Sequence, residues 1–171
     1  MTPKPSIVRA VELDTDCGRY PDIDRVLAYW RAKKGGRDFP SRADIDPLEF
    51  THALPRVMMA EVTYDPLEFR YRVAGTGLFA MHGRELTGKL AHELDPPEFG
   101  ALIHRHYAEV VDRRAPILHV IELTVNAQAT SYARIILPLS SDGKVIDRLM
   151  TCEAHEDHHH ALQKFFQETK E

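Results

Sequence analysis

The sequence predicts an α+β fold: a five-stranded antiparallel sheet covered on one face by helices, with a further helix flanking it at either end. Three observations lead there. Strand-like runs at 57–64 and 69–74 are joined by a short turn, and three more, at 117–125, 131–139 and 145–154, follow one another through short turns. Helical segments separate the two sets, and the longest carries Phe99, Leu102, Ile103, His106, Tyr107 and Val110 on one side. Apolar residues at helical spacing mark one more helix near each terminus.

Taken in order, residues 1–20 show no clear period and read as an N-terminal arm. Asp22 is placed to cap a helix over 23–34, in which Ile23, Val26, Leu27 and Trp30 repeat at helical spacing. Gly35-Gly36 ends it, because glycine adopts the left-handed backbone that a helix end needs. Asp46-Pro47-Leu48-Glu49-Phe50 sets an N-cap, a proline at the first helical position and a glutamate at the third in order. A near-copy, Asp65-Pro66-Leu67-Glu68-Phe69, lies between two strand-like runs and is expected to turn a hairpin instead. Asp95, at the head of a third copy, opens the long helix, which runs to about residue 114 before Pro116 stops it. Asn126-Ala127-Gln128-Ala129 and Ser140-Ser141-Asp142-Gly143 separate the last three strands. The main domain is thus 21–155, and 156–171 form a C-terminal helix with Leu162, Phe165 and Phe166 as its apolar side.

Composition narrows the function. Lys and Arg number 22 against 26 Asp and Glu, a net charge of −4, and no basic cluster stands out. That balance argues against a nucleic-acid surface or a polybasic membrane anchor. The longest apolar stretch, around Ile135-Ile136-Leu137-Pro138-Leu139, is far too short to span a bilayer, and the N-terminus has no apolar core of a signal peptide. Cys17 and Cys152 make no disulfide framework. The expectation is a soluble domain in a reducing cytoplasm.

Chemistry-bearing motifs are sparse. There is no GxSxG, HExxH or GxxxxGK[ST], and Gly75-Thr76-Gly77 is too short to cradle phosphate, so no catalytic residue is assigned. The ten histidines divide by position. His155 and His158-His159-His160 read as a solvated polar turn and not a metal site, since adjacent histidines point apart and no second cluster completes a tetrahedral set. His52, His92 and His119 fall on expected surfaces or edges. Cys152 alternates in phase with Ile146 and Met150 and reads as a small core hydrophobe. Arg148 shares that phase, either reaching into a cavity or facing solvent.

The order of elements resembles the PAS domain, whose first two and last three strands flank a helical segment. Closer motifs are similar to the single-domain alphaproteobacterial PAS family, PAS_5. They are Tyr29-Trp30, Pro40-Ser41-Arg42-Ala43-Asp44-Ile45-Asp46-Pro47, Arg70-Tyr71-Arg72-Val73-Ala74-Gly75-Thr76, Gly83-Arg84-Glu85-Leu86-Thr87-Gly88-Lys89 and Leu137-Pro138-Leu139-Ser140, spread over about 23–155. Two departures stand out. His155-Glu156-Asp157 replaces the usual Asp-Ile-Thr ending of a PAS core, and the flavin-photosensor motif Asn-Cys-Arg-Phe-Leu is absent.

The resemblance implies a regulatory sensor or interaction module, not an enzyme. With no kinase, cyclase or DNA-binding segment attached, its output is expected to be contact with a signalling protein. A small ligand would sit between the sheet and its helices. The expected wall is Tyr71 and Val73 on the second strand, Leu78, Phe79, Met81 and His82 in the short helical stretch, and Leu102, His106 and Tyr107 on the long helix. Ile135, Leu137, Met150 and Cys152 complete it from the last strands. Homodimerisation is expected through Ile23, Val26, Leu27 and Trp30 at one end and Leu162, Phe165 and Phe166 at the other. One alternative is a haem-binding gas or redox sensor, because His104-Arg105-His106-Tyr107 resembles the proximal-histidine helix of haem PAS sensors. A second is a small enzyme on a related scaffold, with His82 or His106 as its base.

Overall fold

The computed structural model of the protein describes residues 6–77, 85–125 and 128–154. Leu78, Phe79, Met81, His82, Leu162, Phe165, Phe166 and the histidines from His155 to His160 lie outside them. Among the described residues six strands form one antiparallel sheet in the order β1-β4-β5-β6-β2-β3. They are β1 (Ser6–Leu13), β2 (Val57–Thr63), β3 (Glu68–Ala74), β4 (Ile117–Val125), β5 (Gln128–Leu139) and β6 (Arg148–Glu153). Among the described residues two α-helices accompany them, α1 (Pro21–Lys34) and α2 (Pro97–Arg113). The hairpin β2–β3 and the meander β4–β5–β6 join into one sheet because β2 pairs with β6, Met59 opposite Met150.

The additional strand is β1, in the stretch expected to be an arm. It pairs with β4 along its whole length, Ala10 opposite Ile121, at the sheet's outer edge. Its period is hard to read because an edge strand buries little, and because a bulge between Ile7 and Arg9 shifts the alternation. Other boundaries moved for local reasons. α1 begins at Pro21, so Asp22 lies inside the first turn, where its carboxylate takes the Arg56 guanidinium at 2.8 Å instead of capping. α2 begins at Pro97 behind Pro96, two residues after Asp95. β6 starts at Arg148 because the preceding residues are held in a turn: Asp142 Oδ1 accepts from the Lys144 and Val145 amides and Gly143 takes φ +77°. Asp46 does cap a single 3-10 turn, its Oδ1 accepting from the Leu48 amide, and the Asp65 copy does turn the β2–β3 hairpin.

Burial along the central strands shows how the layers stack. From Tyr132 to Leu139 every residue of β5 is buried, and so is every residue of β6 after Arg148. Alternate side chains point to opposite faces, so both faces of the sheet's centre are covered. α2 lies on one face and α1 on the other. Ile23, Val26, Leu27 and Trp30 of α1 are buried in this chain's own core. Trp30 Nε1 donates to the Pro138 carbonyl of β5 at 2.9 Å. The surface expected for dimerisation at this end is therefore consumed within the chain: an amphipathic stripe alone does not say whether its partner is the same molecule or another. Arg56 ties this layer together, donating to Asp22 of α1 and to the Glu153 carbonyl of β6.

α2 is held close to the segment before it by Gly100. A Cβ there would meet the His92 and Leu94 carbonyl oxygens at 2.6 and 2.7 Å. That close approach leaves no room for a side chain at this position.

Candidate functional site

Strand register decides which side chains face α2. Across β4, β5 and β6, His119 pairs with Arg134 and Arg134 with Glu153, so these three form one row on one face. Thr130 and Tyr132 precede Arg134 on the same side of β5. From α2, the 3.6-residue period brings His106 and Tyr107 down onto this row, and β3 contributes Tyr71 at its flank.

The contacts are specific. His106 Nδ1 lies 2.5 Å from Arg134 Nη2. A guanidinium has donors only, so Nδ1 is the acceptor and His106 is a neutral imidazole with its proton on Nε2. Its ring stacks on His119, centroids 3.8 Å apart and planes within 7°. Tyr71 and Tyr107 join their hydroxyls at 3.0 Å, both fully buried, and the Arg134 guanidinium stands 6.0 Å from the Tyr107 ring. Burial, and after it the charge of Arg134, pulls the His106 pKa down to about 2 and that of His119 to about 3. Burial pushes the phenols of Tyr71, Tyr107 and Tyr132 up, so all three stay protonated. Arg134 is thus a fixed cation among neutral imidazoles and phenols, with Glu153 as the carboxylate in its row.

The cluster is not saturated. Arg134 Nε and Nη1, His119 Nδ1 and Thr130 Oγ1 are buried without a hydrogen-bond partner. Native cores leave few such groups, because each costs about 1–3 kcal/mol. Four of them lie together on one face of this sheet.

Set against the expected wall, Tyr71, Leu102, His106 and Tyr107 do lie between the sheet and α2. Ile135, Leu137, Met150 and Cys152 belong to the opposite face, beneath α1. Each is one residue out of phase with Arg134, Ile136, Thr151 or Glu153. Cys152 accordingly has Arg56 and Asp22 of α1 in its surroundings, and burial pushes its thiol up to about 12, an inert group. Val73 is 44 % exposed. A register shift pairs Met59 with Val73 but Ala60 with Tyr71, which turns Val73 to the face away from Tyr71. His119, expected at an edge, is buried against His106. His92 is exposed but sets its ring edge-on to His104, 5.9 Å away, and His104 also packs on Phe69. Arg148 reaches Glu61 at 3.8 Å, a partly exposed pair, and not a cavity.

Arg134 and Glu153 escaped the sequence reading. A usable signal was present: a lone arginine inside Ala133-Arg134-Ile135-Ile136-Leu137, where neither phase is otherwise polar. Beside α1 the described residues form a pocket of about 250 Å³, lined by Thr15, Asp16, Gly18, Asp24, Leu27, Ala28 and Arg31, of which Asp16 and Arg31 form an ion pair.

The donor set does not fit haem at His106. A metal-bound imidazole ordinarily donates its second N–H to an acceptor, which strengthens it as a ligand. Here the second nitrogen accepts from a guanidinium, which withdraws electron density, and the ring face is taken by His119. Nor does His106 suit a general base, with a pKa so far below neutral. Among the described residues no group of three or more His, Cys, Asp or Glu side chains is placed to hold a metal ion.

None of the curated proteins compared matches the chain significantly. Residues 19–152, from the start of α1 to β6, match the model of the family PAS_5, described as a PAS domain, and so span the sheet's central strands and both covering helices. With that match covering well over half its length, the chain belongs to the PAS family, the regulatory sensor and interaction domains.

Proposed function

We propose that this PAS domain is a sensor that binds a small ligand between α2 and the sheet and passes the event to a signalling protein, without catalysis of its own. The observation that carries the reading is the buried, incompletely hydrogen-bonded cluster around Arg134. A ligand would complete it, and any shift of α2 on binding would reach the surface of the domain. The module works in the cytoplasm as a homodimer. With the apolar side of α1 buried in its own core, Leu162, Phe165 and Phe166 remain the proposed dimer contacts. No described helix is long and apolar enough to cross a membrane.

Native mass spectrometry of the freshly purified full chain tests both parts. The expected spectrum is a dimer carrying a small molecule that is released on denaturation. A strict monomer at all concentrations removes the dimer. Failure of any small molecule to bind, retained or added, removes the sensor.

A further inference from the structure

Arg134 is 1 % exposed, and of its three nitrogens only Nη2 meets a partner, His106. A guanidinium does not lose its proton in a protein. The two idle donors therefore cannot be relieved by neutralisation, and Glu153, although opposite Arg134 across the β5–β6 register, takes neither of them. An aliphatic side chain in this position would cost the fold less. Around the cation stand aromatic surfaces: Tyr107, Tyr132 and the stacked rings of His106 and His119.

We propose that the cluster binds a small organic monocarboxylate, with Arg134 donating to the carboxylate oxygens and the aromatic rings packing on the carbon skeleton. This deepens, and rests on, the reading of the chain as a ligand sensor. Guanidinium–carboxylate pairing is strong because both partners are ionised, and a monoanion adds only one negative charge beside the Glu153 carboxylate. A dianion such as phosphate would meet the Glu153 carboxylate in the same row, with only neutral imidazoles and phenols to offset it. Because Arg134 is enclosed, the ligand enters only as α2 lifts from the sheet. That displacement is the signal.

The test is a titration of the full, ¹⁵N-labelled chain with acetate, butyrate and benzoate. Inorganic phosphate and chloride at matched ionic strength serve as controls. The Arg134 Nε–H resonance is followed in parallel with Tm. The expected result is a saturable shift of that resonance and a rise in Tm with at least one carboxylate, tightest for the benzoate ring. In Arg134→Lys, which keeps the charge but loses the planar fork, the apparent Kd weakens at least tenfold. The proposal is overturned if phosphate saturates the resonance and carboxylates do not, or if Arg134→Lys binds carboxylates as tightly as the parent. Should the lysine variant fail to fold, the wild-type resonance alone decides. A neutral molecule retained in native mass spectra, with no carboxylate response, would sink the carboxylate assignment and leave the sensor reading standing. Binding of nothing at all would remove both.

Discussion

The two faces of the sheet are equally buried and chemically opposite. Beneath α1 lie Ile135, Leu137, Leu139, Met150 and Cys152, facing Ile23, Val26, Leu27 and Trp30, and the indole N–H has its carbonyl. Beneath α2 lie Arg134, His119, Thr130 and Tyr132, and four of their polar atoms have no partner. Burial by itself therefore does not identify a core. The α1 face is assembled as stabilising structure, whereas the α2 face gives up stability to hold a charge and unpaired donors.

Changes that break this contrast should rank by face. The largest loss is expected on the α1 side: Leu137→Ala removes a fully buried side chain from a packed layer and should cost about 2–5 kcal/mol, read from urea unfolding. A cost under 1 kcal/mol would mean that the layer beneath α1 is loosely filled and the contrast mistaken.

Acid should act next, and through the α2 side. The His106 and His119 pKa values lie far below the usual 6.5 of an unfolded imidazole. As pH falls through 6.5 the unfolded chain takes up protons that the folded chain refuses, until about pH 3. Stability is therefore complete above pH 6.5 and lost below it, by up to about 1.4 kcal/mol per pH unit for each histidine. His104, lowered by burial and by His92, adds in the same direction. Carboxylates held low by partners, such as Glu61 beside Arg72 and Glu122 beside Arg9, titrate further down. The interval from pH 6.5 to 5 thus isolates the imidazoles. Urea midpoints at pH 7 and pH 5 should differ by about 2–4 kcal/mol, and Arg134→Met, which removes a charge depressing both rings, should shrink that difference. Equal midpoints at the two pH values would place both histidines in water.

Trp30→Phe keeps an aromatic ring but shrinks it and strands the Pro138 carbonyl, and should cost about 1–3 kcal/mol at neutral pH with no change in acid sensitivity. An altered acid response in this variant would show the two faces to be coupled through β5.

Much of the fold was legible because periodicity and turn chemistry agree: the helix at Pro97–Arg113, the strands β2, β3 and β4 and the Asp65 turn all follow from residues near in sequence. The site was legible only from α2, whose amphipathic period singles out His106 and Tyr107. On β5 and β6 both phases are buried and each carries apolar side chains, so alternation did not select the face toward α2. Hairpin length supplied a second ambiguity. A four-residue connection at 126–129 would put His119 opposite Ile136. The observed pairing of Val125 with Gln128 puts it opposite Arg134 instead, and the polar row exists only in that register.

The same sensitivity to register yields the smallest expected effect. Tyr71 and Val73 share a phase in an ideal strand, and a substitution at either would then disturb one buried surface. The shift between Met59 and Ala60 separates them: Tyr71 is fully buried against Tyr107, and Val73 is half in water beside an ion pair of Arg72 with Glu61. Val73→Thr, nearly isosteric, adds a hydroxyl that solvent can satisfy only if the bulge is where the pairing puts it. The expected change is within about 0.5 kcal/mol, as for other exposed positions. A buried, unpartnered hydroxyl would instead cost about 1–3 kcal/mol. A loss of that size in urea unfolding would return Val73 to the α2 side, and the boundary between the two faces would have to be redrawn through β3.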